Sequence, residues 1–235
     1  MRKPWTRVLW SIRLIYYRFV PPFGVRLLRK YSRRFEQVRI LDIGCGTVYP
    51  QLFRLAFGTE CEYVGLDKFP ARVELGDKVG LFDIRFADLE KDVLRSLPPA
   101  EKYSVINFSH VIEHLDNGNE VLAALREHQE MGGLLYVETP SDRSLGFPSR
   151  AGCLYFYDDD THKRVYTLEE MEQTLLNSGY EILRIGIRHD PFRVAIAPFV
   201  WISLVLAGRK IKGGNLWDIV GFAHYILAKV SVVAG

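Results

Sequence analysis

Leu41-Asp42-Ile43-Gly44-Cys45-Gly46-Thr47 is the stretch from which the fold can be read. It closes an apolar run that begins at Val38, places two glycines one residue apart, and is followed by Pro50, which suits the first turn of a helix. Strand, glycine turn and helix open a βαβ unit. Glycine lets the backbone turn tightly and approach a ligand with no Cβ in the way. A lone G-x-G arises often by chance, so the context on both sides carries the weight. The sixth position counted from Gly44 is Tyr49 rather than glycine, which argues against the nicotinamide-dinucleotide fingerprint G-x-G-x-x-G.

Outward from this turn, short apolar runs at 38–43, 63–66, 81–86, 104–108, 134–137 and 181–187 alternate with helical patterns near 50–57, 70–77, 89–96, 117–130 and 167–178. Residues 225–233 read as a last strand. This alternation predicts an α/β fold: a doubly wound, seven-stranded, mostly parallel sheet with its ligand site at the carboxyl ends of the strands. The second strand ends in Gly65-Leu66-Asp67, where a carboxylate can accept both hydroxyls of a ribose. The third ends in Ala87-Asp88-Leu89, where a carboxylate can accept from an adenine amino group.

The chain of 235 residues, 48% hydrophobic and 25% charged, suffices for one large domain. Three cysteines (Cys45, Cys61, Cys153), without C-x-x-C pairing, indicate a reducing, cytoplasmic setting with no disulfide framework and no zinc site. The net charge of +3 hides an asymmetry. Residues 1–35 hold ten of the 31 basic residues and no acid, leaving 21 basic against 28 acidic residues in the remainder. A basic arm on an acidic body points to an anionic contact. Trp5, Val8, Leu9, Ile12, Tyr16 and Phe19 recur at helical spacing, and Pro21-Pro22 with Gly24 divides the arm into two short helices. Arg13 interrupts the apolar run, against a secretory signal, and serine is too sparse for a transit peptide. The arm is too apolar for a groove binder, so no nucleic-acid partner is expected.

These patterns divide the chain into an arm, 1–36, and a domain, 37–235, with an apolar helical insert at about 189–221 before the last strand. Residues 194–207, VAIAPFVWISLVLA, carry no charge. A bilayer span needs about 20 such residues, so the segment is too short to cross, and Pro198 weakens a continuous helix. Arg209, Lys210 and Lys212 follow at once. Arm and insert either pack as a cap or dimer contact, or lie in a headgroup layer with Trp5, Trp10, Trp201 and Trp217 at the interface.

Taken in order, LDIGCG, VGLD, FADLEKD, SHVIEHLDN, GGLLYVETPS and TLEEMEQTLLNSGY resemble the class I S-adenosylmethionine-dependent methyltransferases over about residues 38–190. The resemblance implies their Rossmann-like fold and S-adenosylmethionine as cofactor. Asp42, Gly44, Cys45 and Gly46 would then line the methionine moiety, Asp67 with Lys68 the ribose, and Asp88 with Leu89 the adenine. Ser109 and His110 would lie at the end of strand four beside the methyl donor. The family often has a third glycine where this chain has Val48, which implies a reshaped helix start.

Methyl transfer from a sulfonium is an in-line displacement, so positioning can supply much of the catalysis. A base helps when the acceptor must lose a proton. His110, His114 and His162, with Glu113, are the candidates, because imidazole titrates in the right range. For His114 the stronger reading is a Glu-His pair that caps and orients the next helix. Asp159-x-Thr161-His162-x-Arg164 before Tyr166-Thr167 resembles methyltransferases of surface-polysaccharide and lipid-linked sugar pathways. The three acids Asp158, Asp159 and Asp160 read as a solvated turn or substrate lid; neighbouring side chains rarely converge on one cation, so no metal is assigned. The sequence therefore predicts an S-adenosylmethionine-dependent O-methyltransferase acting on a sugar or lipid-linked small molecule near a membrane. A quinone or isoprenoid acceptor is the second enzymatic reading, and a degenerate cofactor-binding subunit at a membrane is the rival from another class.

Overall fold

The computed structural model describes residues 17–18, 20–69, 82–91, 100–149, 154–206, 208 and 216–231. The first half of the arm, the helical pattern at 70–77, most of that at 89–96 and the basic cluster at 209–212 lie outside the described residues.

Seven strands form one sheet: β1 Arg39–Ile43, β2 Glu62–Asp67, β3 Asp83–Phe86, β4 Tyr103–Ser109, β5 Gln129–Pro140, β6 Tyr180–Ile187 and β7 Ala223–Val230. Their order is β3-β2-β1-β4-β5-β7-β6. β7 alone runs against its neighbours, pairing antiparallel with β5 and β6. The strand order reverses between β1 and β4, which pair in parallel from Ile40↔Val105 to Ile43↔Phe108. A doubly wound sheet opens its ligand crevice outside the carboxyl ends of such a pair.

β1 and β4 are buried almost throughout because both faces of the sheet are covered. Side chains alternate across a strand. Leu41 and Ile43 thus join Ile106, Leu122, Met171 and Leu175 in one core, where helices α3 (Gly118–Ala124) and α4 (Leu168–Asn177) lie. Ile40 points the other way, into a core with Val25, Leu28, Phe53 and Tyr136. That face carries α1 (Phe23–Tyr31) and α2 (Tyr49–Phe57).

Within the expected arm 1–36, α1 is built into the second core, with Val25 and Leu28 fully buried. A Cβ on Gly24 would stand 2.3 Å from Cε1 of Tyr136, so this glycine lets α1 close on β5. Leu28→Ala is accordingly expected to cost about 2–5 kcal/mol of stability, read as a lower denaturation midpoint. A surface arm would give almost none.

The helix expected over 117–130 ends early. α3 stops at Ala124, a 3-10 turn covers Leu125–His128, and β5 starts at Gln129, paired with Tyr103. Extending β5 to twelve residues requires the chain to leave the helix before Gly132, whose φ is +75°. Pro198 does not interrupt its helix either: α5 runs from Pro191 to Leu206. Proline in a helix interior removes one backbone donor, and here the helix continues past it. A short α6, Trp217–Val220, precedes β7. No described helix is long and apolar enough to cross a membrane.

Candidate functional site

Two cavities meet at the carboxyl ends of the strands. A cleft of about 400 Å³ is lined by Asp67, Lys68, Asp88, Leu89, His114 and Thr161, among others. A cavity of about 460 Å³ lies beyond it, with Tyr49, Tyr136, Glu138, Arg188, Arg193 and Trp217 in its wall. Gly44 and His110 line both, so they form the shared boundary.

The turn after β1 is built on glycine for measurable reasons. Gly44 has φ +69°, and a Cβ there would lie 2.4 Å from Cγ2 of Val111. Gly46 has φ +56°, and its missing Cβ would project into open space in the larger cavity. Backbone donors hold the turn to β2: the amides of Gly44 and Cys45 reach the Leu66 carbonyl at 2.8 and 3.1 Å. The Gly46 amide donates to Asp67 Oδ2 at 3.0 Å, and the Phe69 amide to Oδ1 at 2.9 Å. Asp67 is 3% exposed, yet its carboxylate faces the cleft.

Of the residues expected to line the methionine moiety, Asp42 and Cys45 are buried. Asp42 lines neither cavity. Its Oδ2 accepts from the Tyr63 hydroxyl and its Oδ1 from the Asn107 side chain, both at 2.6 Å. It therefore braces the strand ends beneath the glycine turn. Burial raises its carboxyl to about 7, although the hydrogen bonds from Tyr63 and Asn107 oppose this. Cys45 contributes to the cavity wall but is buried, and burial pushes its thiol pKa up. The sulfur lies under Gly65, where a Cβ would meet it at 2.7 Å.

Lys68 is exposed at the cleft rim. Asp88 is held below the ordinary carboxylate range first by its contact with Lys91, at 3.2 Å. Leu89 is buried in the cleft wall. Ser109 ends β4, donates to Asn107 Oδ1 at 2.8 Å and lines the larger cavity.

His110 follows directly, with φ +54°, the only non-glycine residue at positive φ among the described residues. Its strain is held by two buried carboxylates. Nδ1 meets Glu113 Oε1 at 3.2 Å and Nε2 meets Glu138 Oε1 at 2.9 Å. The ring packs 5.3 Å from that of Trp217. Burial alone would lower its pKa, but Glu113 and Glu138 outweigh that and raise it to about 9. Both ring nitrogens of His110, expected as a candidate base, are thus engaged by carboxylates.

Glu138 is the hub; it lies within the GGLLYVETPS motif, but the sequence reading assigns it no role. It accepts from His110, from Arg188 Nη1 at 2.5 Å and from the Tyr136 hydroxyl at 2.5 Å. Burial would raise its carboxyl, but the charge of Arg188 and then His110 hold it at about 2. Arg188 also pairs with Asp218 at 2.9 Å, and Arg193 approaches Asp218 at 3.5 Å. Arg188, Arg193 and Asp218 lie far along the chain from Glu138, and no local motif marks them.

His114 stands elsewhere, in the cleft wall, and His162 lies beside it. His114 Nδ1 contacts the Thr161 carbonyl at 3.1 Å and its hydroxyl at 2.9 Å. The two imidazole rings lie 4.8 Å apart. The three adjacent acids diverge. Asp158 accepts from the amides of Leu154 and Tyr155, Asp159 accepts from Thr161, and Asp160 is exposed.

A family profile described as a methyltransferase domain matches residues 16–185, well over half of the chain. A ubiquinone biosynthesis O-methyltransferase of Brucella anthropi is 25% identical over 172 residues, which cover 68% of this chain and 66% of that protein. The chain thus spans slightly under two thirds of that relative's length. Among solved structures, a SAM-dependent methyltransferase from Archaeoglobus fulgidus aligns with TM-score 0.56 and 21% identity, covering 91% of this chain and 99% of that one. An S-adenosylmethionine-dependent methyltransferase from Mesorhizobium loti aligns with TM-score 0.62 and 15% identity, covering 87% and 96%. At these identities the structural likeness speaks for the fold.

Proposed function

The chain belongs to the methyltransferase-domain family, of the class I S-adenosylmethionine-dependent kind, and we propose that it methylates a hydroxyl on a lipid-linked small molecule held in the larger cavity. The observation that carries this reading is the pair of cavities sharing Gly44 and His110 as their wall. The cleft suits a nucleoside, and the larger cavity, whose wall includes Gly46 and Ser109, suits the methionine end together with an acceptor.

The residues present fit the cofactor. The bare glycine turn admits a close approach, and Asp67 ends β2 with carboxylate lone pairs in the cleft. Asp67 would accept from the ribose, Asp88 and Leu89 would flank the adenine, and Gly44, Gly46 and Ser109 would line the methionine moiety. When bound, S-adenosylmethionine supplies an activated methyl group on sulfur. His110 acts here as a positioning residue: clamped by Glu113 and Glu138, it fixes the boundary between the two ligands. Trp217, Tyr49 and Tyr136 give the acceptor a flat wall, and Arg193 and Asp218 offer polar contacts. Orientation then carries most of the rate, as suits a donor that needs no further activation.

A quinol or phenol acceptor is the second reading. It is favoured by the aromatic wall and by the absence of an uncommitted histidine in that wall among the described residues, since a phenolic hydroxyl loses its proton more readily than an alcohol. The 25% identical relative is a ubiquinone biosynthesis O-methyltransferase. Supplying lipid-linked sugars and demethylated isoprenoid quinols to the purified protein with labelled donor separates the two. Methyl transfer to neither class would contradict both.

The exposed side of α5 supports a contact with an anionic bilayer surface. Phe199 is 74% exposed, Ile202 58% and Leu206 83%, close together on one helix whose basic flank follows in the sequence. Phe199→Ser with Leu206→Ser is expected to lower co-sedimentation with vesicles containing acidic phospholipid at least tenfold, given about 1.5–3 kcal/mol for each side chain fully buried. Cofactor binding should not change.

A further inference from the structure

We propose that Glu113, His114 and His162 form a binding site for one divalent transition-metal ion of the zinc type. One ligand atom from each lies within 4.8 Å of the others, so small side-chain rotations would bring them to a common centre. The residues come from two segments, the 3-10 turn Ile112–His114 and the loop at 156–164. Backbone bonds already join these segments, with the Lys163 amide donating to the Glu113 carbonyl at 2.8 Å.

The tautomers follow from the hydrogen bonds. The Thr161 carbonyl can only accept, so His114 Nδ1 carries the proton. The Thr161 hydroxyl agrees with this, because it donates its own hydrogen to Asp159 Oδ1 at 2.5 Å. His162 Nδ1 likewise donates to the Phe156 carbonyl, at 2.5 Å. Both Nε2 atoms are left with a lone pair, and neither makes a hydrogen bond among the described residues. His162 Nε2 stands 4.0 Å from Asp159 Oδ2, too far for a hydrogen bond. Two imidazole lone pairs therefore converge on the Glu113 carboxylate, which also accepts from the Thr139 hydroxyl at 3.0 Å and meets His110 Nδ1 at 3.2 Å. Metal-bound histidines commonly anchor their other ring nitrogen on a carbonyl, as both do here. Nitrogen and carboxylate ligands select zinc and its neighbours over magnesium or calcium.

Asp159 flanks the three, with Oδ2 4.0 Å from His162 Nε2. The metal would clasp the loop at 156–164 onto the turn at 112–114, and His114, Asp159 and Thr161 belong to the cleft wall. The ion is a structural clasp in this proposal, and the proposal stands independently of the acceptor.

The test uses untagged, full-length protein stripped with chelator and titrated with Zn²⁺ alone by calorimetry. One ion per chain is expected, together with a raised melting temperature. Outer-shell changes at such sites typically cost 10–100-fold in affinity, and loss of a ligand in His114→Ala or His162→Ala should exceed about 100-fold. Asp160→Ala, at an exposed neighbour, should bind as the wild type does. Co²⁺ added to the wild type should give the visible bands of a tetrahedral nitrogen–oxygen site, a readout that needs no variant to fold. No stoichiometric Zn²⁺ binding, a featureless Co²⁺ spectrum, or undiminished binding in the His114→Ala/His162→Ala double variant would overturn the assignment.

Discussion

Asp67→Ala is expected to weaken S-adenosylhomocysteine binding by roughly 100-fold or more while leaving the sheet intact. A carboxylate accepting two ribose hydroxyls makes two hydrogen bonds to a charged group, each worth about 1.5–3 kcal/mol, and about 1.4 kcal/mol corresponds to tenfold in affinity. The same carboxylate holds the Gly46 and Phe69 amides, so its loss also loosens the glycine turn. Asp67→Asn keeps an acceptor at Oδ1 and should fall between the two. Gly44→Val acts by a different route: it forces a β-branched side chain into φ +69° and onto Val111. Calorimetric titration of each variant, with circular dichroism as the control for folding, reads both effects. Wild-type affinity in Asp67→Ala would remove Asp67 from the ribose role.

Glu138→Ala should destabilise the protein by about 3–5 kcal/mol, because it leaves Arg188 buried with a single remaining partner, Asp218. For a chain of this size that corresponds to a melting temperature lower by roughly 6–20 °C. The same carboxylate gives a pH dependence of fixed sign. Its folded pKa, about 2, is depressed from the ordinary 4.5. Its stabilisation is therefore complete above about 4.5 and lost as pH falls toward 2. Wild-type protein should show this acid loss, and Glu138→Gln, which cannot titrate, should lack that share of it. Melting curves between pH 2 and 6 measure it. A melting temperature unmoved by Glu138→Ala would show that the hub is not a stabilising element.

The elements that local pattern reveals are those with short-range causes. Two glycines one residue apart after an apolar strand require a tight turn wherever they occur, and Gly44 and Gly46 both adopt positive φ. Asp67 ends β2 because an apolar run ends there, and the run itself is legible. What stays hidden in the sequence depends on register between distant strands. Asp42 reads as a ligand residue, but pairing of β1 with β2 and β4 places Tyr63 and Asn107 on its two oxygens. His110 reads as a candidate base, and its carboxylate partner Glu138 arrives from β5 with Arg188 from beyond β6. Helix ends are lost for a related reason. The pattern at 117–130 is helical in its own right, yet strand pairing at Gln129 overrides its last turn.

The most direct test of the central claim is calorimetric titration of the wild-type protein with S-adenosylmethionine and S-adenosylhomocysteine. One site per chain with micromolar affinity for both is the predicted result. Folded protein that takes up neither would contradict it and leave the two cavities without their assigned occupants.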